Sequence, residues 1–238
     1  MIEAKIFELI KQLRQEVRLN DQRIKQLTRS ADKTILNETF DNLSLGTIAG
    51  QGSYPYATAW SIAEADHTAD VVEKSGADRM VKIIAPSGNL STHIVTTVTN
   101  YFKMNPGVRL SWDMRIDNDV SGVAGGVLIC AFTSDIRASI GFHYDSGLHI
   151  SAYNGLDYSN ILGATKNTWY HIDMIYLPQN PSGMILVYID GAYEGIYASS
   201  SPAQDLNMIK AFATSAAESA TNIDIDNLKV EALLLLNS

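Results

Sequence analysis

The sequence predicts an antiparallel all-β sandwich preceded by one long N-terminal coiled-coil helix. Three observations carry that expectation. From residue 34 onward, short apolar runs are separated by clusters of Gly, Pro, Asn, Asp and Ser, the text of a sandwich or barrel. In Thr168–Tyr197, residues Tyr170, Ile172, Met174 and Tyr176 alternate with more polar ones, as do Ile185, Val187 and Ile189, so each strand buries one face. Such a meander needs a second sheet to cover it. Before residue 34 the period changes from two to three and a half.

The N-terminal stripe is Ile6, Ile10, Leu13, Val17, Asn20, Ile24 and Leu27, spaced alternately by four and three. Ile10, Val17 and Ile24 take the a positions and Ile6, Leu13, Asn20 and Leu27 the d positions of a heptad. No Gly or Pro interrupts it, and the other positions are rich in Lys, Arg, Gln and Glu. A helix of this length would be roughly 40 Å long. A two-sevenths stripe fits a coiled-coil seam better than a helix packed on its own domain. Asn20 in the seam sets register at a cost in stability. β-branched a positions with Leu at d favour two strands. Against this, Phe7 and Leu9 widen the seam, and Glu16 would face Asp21 of a parallel partner. Val17-Arg18-Leu19-Asn20 resembles the asparagine layers of trimeric viral fibres and adhesins, which favours a parallel trimer, with a dimer second. Residues 1–33 are therefore expected to assemble the chain as a homo-oligomer, and 34–238 to form the sandwich.

Charge marks the same boundary. Residues 1–33 hold eight basic and five acidic side chains (+3), and the rest hold ten and twenty-one (−11), within a net charge of −8 over 238 residues. That balance argues against nucleic acid as a partner. Hydrophobic content of 46% and charged content of 18% are those of a soluble globular chain. The longest aliphatic run, Leu233–Leu236, is too short for membrane insertion. Glu3 and Glu8 interrupt the apolar N-terminus and no cleavage-site pattern follows, so it does not read as a signal peptide. The single cysteine, Cys130, lies in the apolar run GGVLICAF and reads as a small buried hydrophobe.

Strands are expected near 36–41, 57–63, 70–74, 79–84, 91–99, 108–116, 123–133, 136–144, 147–153, 158–162, 168–177, 184–190, 192–198, 208–214 and 221–231. Asp190-Gly191 between Ile189 and Ala192 is a two-residue hairpin signal, because both positions need positive φ. Asp145-Ser146-Gly147 signals a second hairpin. In the last strand, Ile223 and Ile225 share one face and Asp224 and Asp226 the other, whereas Leu228 and Val230 have the parity of the aspartates. The phase flips near Asp226-Asn227, as one extra residue in a β-bulge would make it do.

ETFDNLSLGTIAGQGSY with Trp60 after it, the strand TWYHIDM, the hairpin VYIDG and the closing NIDIDNLKVE together resemble the concanavalin A-like lectin/glucanase superfamily in its laminin G-like branch. The likeness covers roughly residues 38–231 and is carried by turn and core residues, so it speaks to fold more than to function. It implies a two-sheet jelly roll with one concave face and neighbouring terminal strands. It also implies a structural Ca²⁺ between the first and last strands, with Glu38, Asp41 and Asp226 as ligands. A bulge that frees carbonyls beside a carboxylate suits such a cation, which takes six to eight oxygens.

For other chemistry the sequence offers little. Asp224-x-Asp226 resembles the alternating carboxylates of superfamily glucanases, but no Glu completes that motif. The five histidines show no paired metal spacing, although His143 and His149 are placed to meet across a hairpin. No Gly-x-Ser-x-Gly and no phosphate loop is present. Aromatics in loops are the better clue. Tyr54 and Tyr56 cluster before Trp60, and Tyr153 and Tyr158 bracket Asn154 and Asp157. Flat rings beside Asp and Asn suit a sugar, one chemistry for its apolar face and one for its hydroxyls. The expectation is a non-enzymatic virion appendage, capsid decoration protein or adhesin. A coiled coil anchors it, and it displays a lectin-like head to a glycan or to a capsid or tail protein, at a virion or extracellular surface. A glycan-active hydrolase or lyase on the same fold is the alternative.

Overall fold

The computed structural model describes residues 33–64, 67–98, 107–131, 135–153, 157–177, 183–198 and 208–233. The predicted coiled-coil seam, from Ile6 through Ile10, Leu13, Val17, Asn20 and Ile24 to Leu27, lies outside the described residues. So does Asn154.

Sixteen strands are described. They are β1 (Lys33–Glu38), β2 (Gly46–Thr47), β3 (Ser61–Ile62), β4 (Thr68–Ser75), β5 (Asp78–Ala85), β6 (Ser91–Thr97), β7 (Gly107–Ile116) and β8 (Ala124–Ala131). The chain continues with β9 (Asp135–Tyr144), β10 (Leu148–Tyr153), β11 (Tyr158–Gly163), β12 (Tyr170–Leu177), β13 (Met184–Ile189), β14 (Ala192–Ala198), β15 (Met208–Thr214) and β16 (Thr221–Leu233). All pairings are antiparallel, and they build two sheets. The nine-stranded sheet runs β14-β13-β12-β7-β16-β5-β4-β2, with β1 beside the far half of β16, and the seven-stranded sheet runs β11-β10-β9-β8-β15-β6-β3.

The period-two pattern explains the core. Tyr176, Met174 and Ile172 of β12, Ile185, Val187 and Ile189 of β13, and Val108, Leu110, Trp112, Met114 and Ile116 of β7 all point into it. Val127, Ile140, Ile150, Ile209 and Ala211 meet them from the other sheet. The same alternation leaves Arg109, Ser111, Asp113 and Arg115 of β7 outside. Gly125 sets how closely the sheets approach, since a Cβ there would lie 2.5 Å from Ile223 Cγ1 and 2.7 Å from the Phe212 carbonyl.

Most strand positions match the sequence reading. Asp190 (φ 50°) and Gly191 (φ 80°) make the two-residue turn between β13 and β14, and Asp145–Gly147 joins β9 to β10. The terminal strands pair, Glu38 lying opposite Leu228. The bulge is present: between Asp226 and Lys229 the register to β7 slips by one residue, and Asn227 adopts φ 52°. Two expectations need correction. The first strand is Lys33–Glu38 rather than 36–41, because Phe40 turns to φ 62° and ends it. The region 57–63 yields only Ser61–Ile62.

Candidate functional site

Along β9, β10 and β11, the residues that do not enter the core form an aromatic and imidazole cluster on the outer face of the seven-stranded sheet. Leu148, Ile150 and Ala152 point inward, so His149, Ser151 and Tyr153 point outward. The register then places His143 of β9 opposite His149, and Tyr158 of β11 opposite Tyr153. The Tyr158 ring stacks on His143 with centroids 3.9 Å apart and planes 2° from parallel, and lies 4.7 Å from the Tyr153 ring. Tyr158 remains 43% exposed. Beneath the rings, Ser139 and Ser151 are buried, and the Ser151 hydroxyl donates to Asn160 Oδ1 at 2.8 Å. Burial pushes the Tyr158 hydroxyl above the ordinary tyrosine range, with Tyr153 adding to it. Burial also lowers His143, and His149 lowers it further against the opposing pull of Asp145. The Nδ1 atoms of both histidines are buried and find no hydrogen-bond partner among the described residues. The structure thus brings together Tyr153 and Tyr158 of the predicted sugar set, with Asp157 beside them in the chain. The ring contact of His143 with Tyr158 was not legible in sequence, because it reaches across β10.

Tyr54 and Tyr56 are elsewhere. They precede Ala57, which bridges to Val98 just beyond β6, at the opposite edge of the sheet from β11. Tyr54 is tied into a network: its hydroxyl donates to Glu38 Oε2 and accepts from Trp60 Nε1 at 2.8 Å. Burial, then the hydrogen bond to Glu38, pushes that phenol far above its ordinary value. Tyr56 packs half-buried against the core.

The outer face of the nine-stranded sheet carries an ion-pair lattice. Asp226, 1% exposed, accepts from Lys74 Nζ at 2.6 Å and from the Asn227 amide at 2.8 Å. Asp224 accepts from Arg115 Nε at 2.9 Å and Nη2 at 2.5 Å, with Lys82 Nζ 4.0 Å away. Both cations of these pairs cap the Trp169 ring, Lys74 at 4.5 Å and Arg115 at 5.1 Å. Burial raises the Asp226 carboxyl, and Lys74 partly offsets this. The calcium set finds each carboxylate engaged by protein donors. Glu38 accepts from the Phe40 amide at 2.7 Å and from Tyr54, Asp41 from the Arg79 amide at 2.8 Å, and Asp226 from Lys74. Among the described residues, no three His, Cys, Asp or Glu side chains gather to hold a metal ion. The ammonium of Lys74 already supplies the positive charge next to Asp226.

No family model matches the chain, and no curated protein does. Solved structures do. A sialidase shares 12% identity over 84% of this chain and 18% of its own, with a TM-score of 0.62. The binding domain of botulinum neurotoxin DC in complex with SialylT shares 15% over 86% and 48%, with a TM-score of 0.53. A carbohydrate esterase from the Shiga toxin-encoding bacteriophage phi24B shares 16% over 80% and 100%, with a TM-score of 0.52. This chain spans less than a fifth of the sialidase and about half of the neurotoxin chain. At such identities the likeness shows the fold: a β-sandwich shared by glycan-binding domains and glycan-active enzymes.

Proposed function

We propose that this chain is an oligomeric surface protein, a virion appendage, decoration protein or adhesin, whose sandwich binds glycan at the Tyr153–Tyr158 cluster. The observation that carries the reading is the stacked, 43% exposed Tyr158 beside Tyr153 and His143. A pyranose presents an apolar face of axial C–H groups, and a phenol ring held by its neighbours takes that face without losing rotamer freedom on binding. Asp157, adjacent in the chain, offers the carboxylate that hydroxyl groups need. The cluster acts here by binding. Fold neighbours that bind or act on glycans support the reading without specifying the sugar.

A single small site of this kind is weak, and the heptad segment in residues 1–33 answers that weakness. Assembly into a trimer, or a dimer, presents several sites at once and raises avidity by orders of magnitude without any new contact. The test is a glycan array probed with the full chain, followed by calorimetry with each hit. Binding that Tyr158→Ala abolishes, while the far-UV spectrum is unchanged, supports the reading. An array without hits, or hits that survive Tyr158→Ala, overturns it. Light scattering on the full chain and on residues 34–238 tests assembly separately, since a monomer at both lengths removes the coiled coil.

A further inference from the structure

On the sheet opposite the aromatic cluster, three side chains meet in an arrangement that ion pairing alone does not require. Ser111 and Asp113 are outward-facing residues of β7, and His171 is an outward-facing residue of β12 directly opposite Asp113 in the register. His171 Nδ1 lies 2.6 Å from Asp113 Oδ1, and His171 Nε2 lies 3.3 Å from Ser111 Oγ. The second Asp113 oxygen accepts from Asn227 Nδ2 at 2.7 Å, so the bulge residue of β16 holds that carboxylate in place. A neutral imidazole that donates Nδ1–H to Asp113 turns its Nε2 lone pair toward the serine hydroxyl. This is a nucleophile, a base and an orienting carboxylate, recognised by geometry rather than by order in the chain. The Oγ–Nε2 separation is slightly long, as such contacts often are before substrate binds.

Charged groups surround the three side chains. Asp173 Oδ2 lies 3.7 Å from His171 Nε2 and is the counter-ion for the imidazolium formed when the ring takes the serine proton. Arg109 holds Asp173 through Nε at 3.1 Å and Nη2 at 2.8 Å. Arg109 shares the outward face of β7 with Ser111, and Lys229 is opposite Ser111 in the β16 register. Each of these cations is held by a carboxylate, Arg109 by Asp173 and Lys229 by Glu231 Oε1 at 2.5 Å. In the same row, Tyr188 pairs with Asp173 and with Tyr193, whose rings lie 5.3 Å apart, and Tyr193 is 45% exposed. They offer an aromatic surface two and three strands along the row from the serine, roughly 10 Å and 14 Å away.

We propose that Ser111, His171 and Asp113 form an acyl-transfer triad that hydrolyses small acyl esters of hydroxyl compounds, an acylated sugar being one that could reach the tyrosines farther along the same row. Ser111 Oγ bonds to the ester carbonyl carbon as its proton passes to His171 Nε2. The carbonyl–alkoxy bond breaks, and His171 returns the proton to the leaving alcohol. Water then attacks the acyl-serine and gives a proton to His171. The Oγ–carbon bond breaks, the carboxylic acid departs, and Ser111 recovers its hydroxyl proton. The set stands on a different sheet from Tyr158, so the activity does not depend on the glycan-binding reading.

The experiment uses the full chain with two probes, a fluorophosphonate and p-nitrophenyl acetate. The expected result is a phosphonate adduct on the peptide containing Ser111, found by mass spectrometry, together with ester turnover that Ser111→Ala lowers at least about a hundredfold. Asp113→Asn is expected to lower turnover by a similar order and to slow labelling, while leaving Ser111 present. No adduct on the wild-type chain, an adduct on another residue, or turnover unchanged in Ser111→Ala overturns the proposal. Labelling does not rely on any variant folding, and circular dichroism of Ser111→Ala shows whether its loss is local.

Discussion

Lys74→Met is the substitution whose cost follows most directly from the geometry. The Asp226 side chain is 1% exposed and that of Lys74 27%, with Nζ 2.6 Å from Oδ2. Removing the ammonium leaves a buried carboxylate with one remaining donor among the described residues, the Asn227 amide. Breaking a fully buried pair costs about 3–5 kcal/mol, and because Lys74 keeps contact with water we expect about 2–4 kcal/mol at pH 7. For a domain of this size that lowers Tm by roughly 5–15 °C. Asp226→Asn should behave differently. The amide oxygen still accepts from Asn227, and the freed ammonium can turn to solvent or to Asp78, 3.7 Å away, so the cost should stay within about 1 kcal/mol. Urea unfolding of wild type, both single variants and the double variant gives the coupling energy. The pH dependence carries a sign. Burial raises the Asp226 carboxyl above its unfolded value of 3.8, so between that value and the folded one the native state holds more protons. Stability from this group therefore falls as pH rises through the window. Loss of Lys74 raises the carboxyl further, so the Lys74→Met deficit should shrink as pH falls toward 4. Equal costs for Lys74→Met and Asp226→Asn, or a Lys74→Met deficit that grows on acidification, would refute the reasoning.

Three further outcomes are expected. Gly125→Ala should destabilise the fold by about 1–3 kcal/mol, because the new methyl meets Ile223 and the Phe212 carbonyl where the sheets approach; denaturant midpoints check it. Asn227→Val should cost about 1–2 kcal/mol more than Asn227→Gly, since both lose the bond to Asp113 but only glycine adopts φ 52° freely; the same unfolding assay separates them. Burial, reinforced by His149, lowers His143 in the fold, so below an unfolded value near 6.5 the denatured chain binds more protons and stability falls with pH. His143→Phe keeps a ring against Tyr158 and should flatten that slope between pH 7.5 and 5.5.

The sequence by itself determined the sandwich, and the reason is that strand identity is a local property. Alternation in Tyr170–Tyr176 and Ile185–Ile189 decides which side chains are buried before any partner strand is known. Asp190-Gly191 decides its turn, and the parity flip after Ile225 reveals the bulge at Asn227, because each follows from two or three neighbouring residues. Tyr153 and Tyr158 were legible as a pair for the same reason, being five residues apart across one hairpin. Tertiary structure alone decided what lies at the ends of long connections. Lys74 and Asp226 are 152 positions apart, yet their ion pair puts a cation beside a carboxylate that the sequence reads as a calcium ligand. Tyr54, read as a loop aromatic for sugar, turns inward because Glu38 and Trp60 both need its hydroxyl. His171 meets Ser111 and Asp113 only because β12 pairs with β7 in one register, and a slip of β12 by a single residue would put His171 on the opposite face from them. Spacing along the chain carries no trace of such a meeting, since it is set by which strands become neighbours.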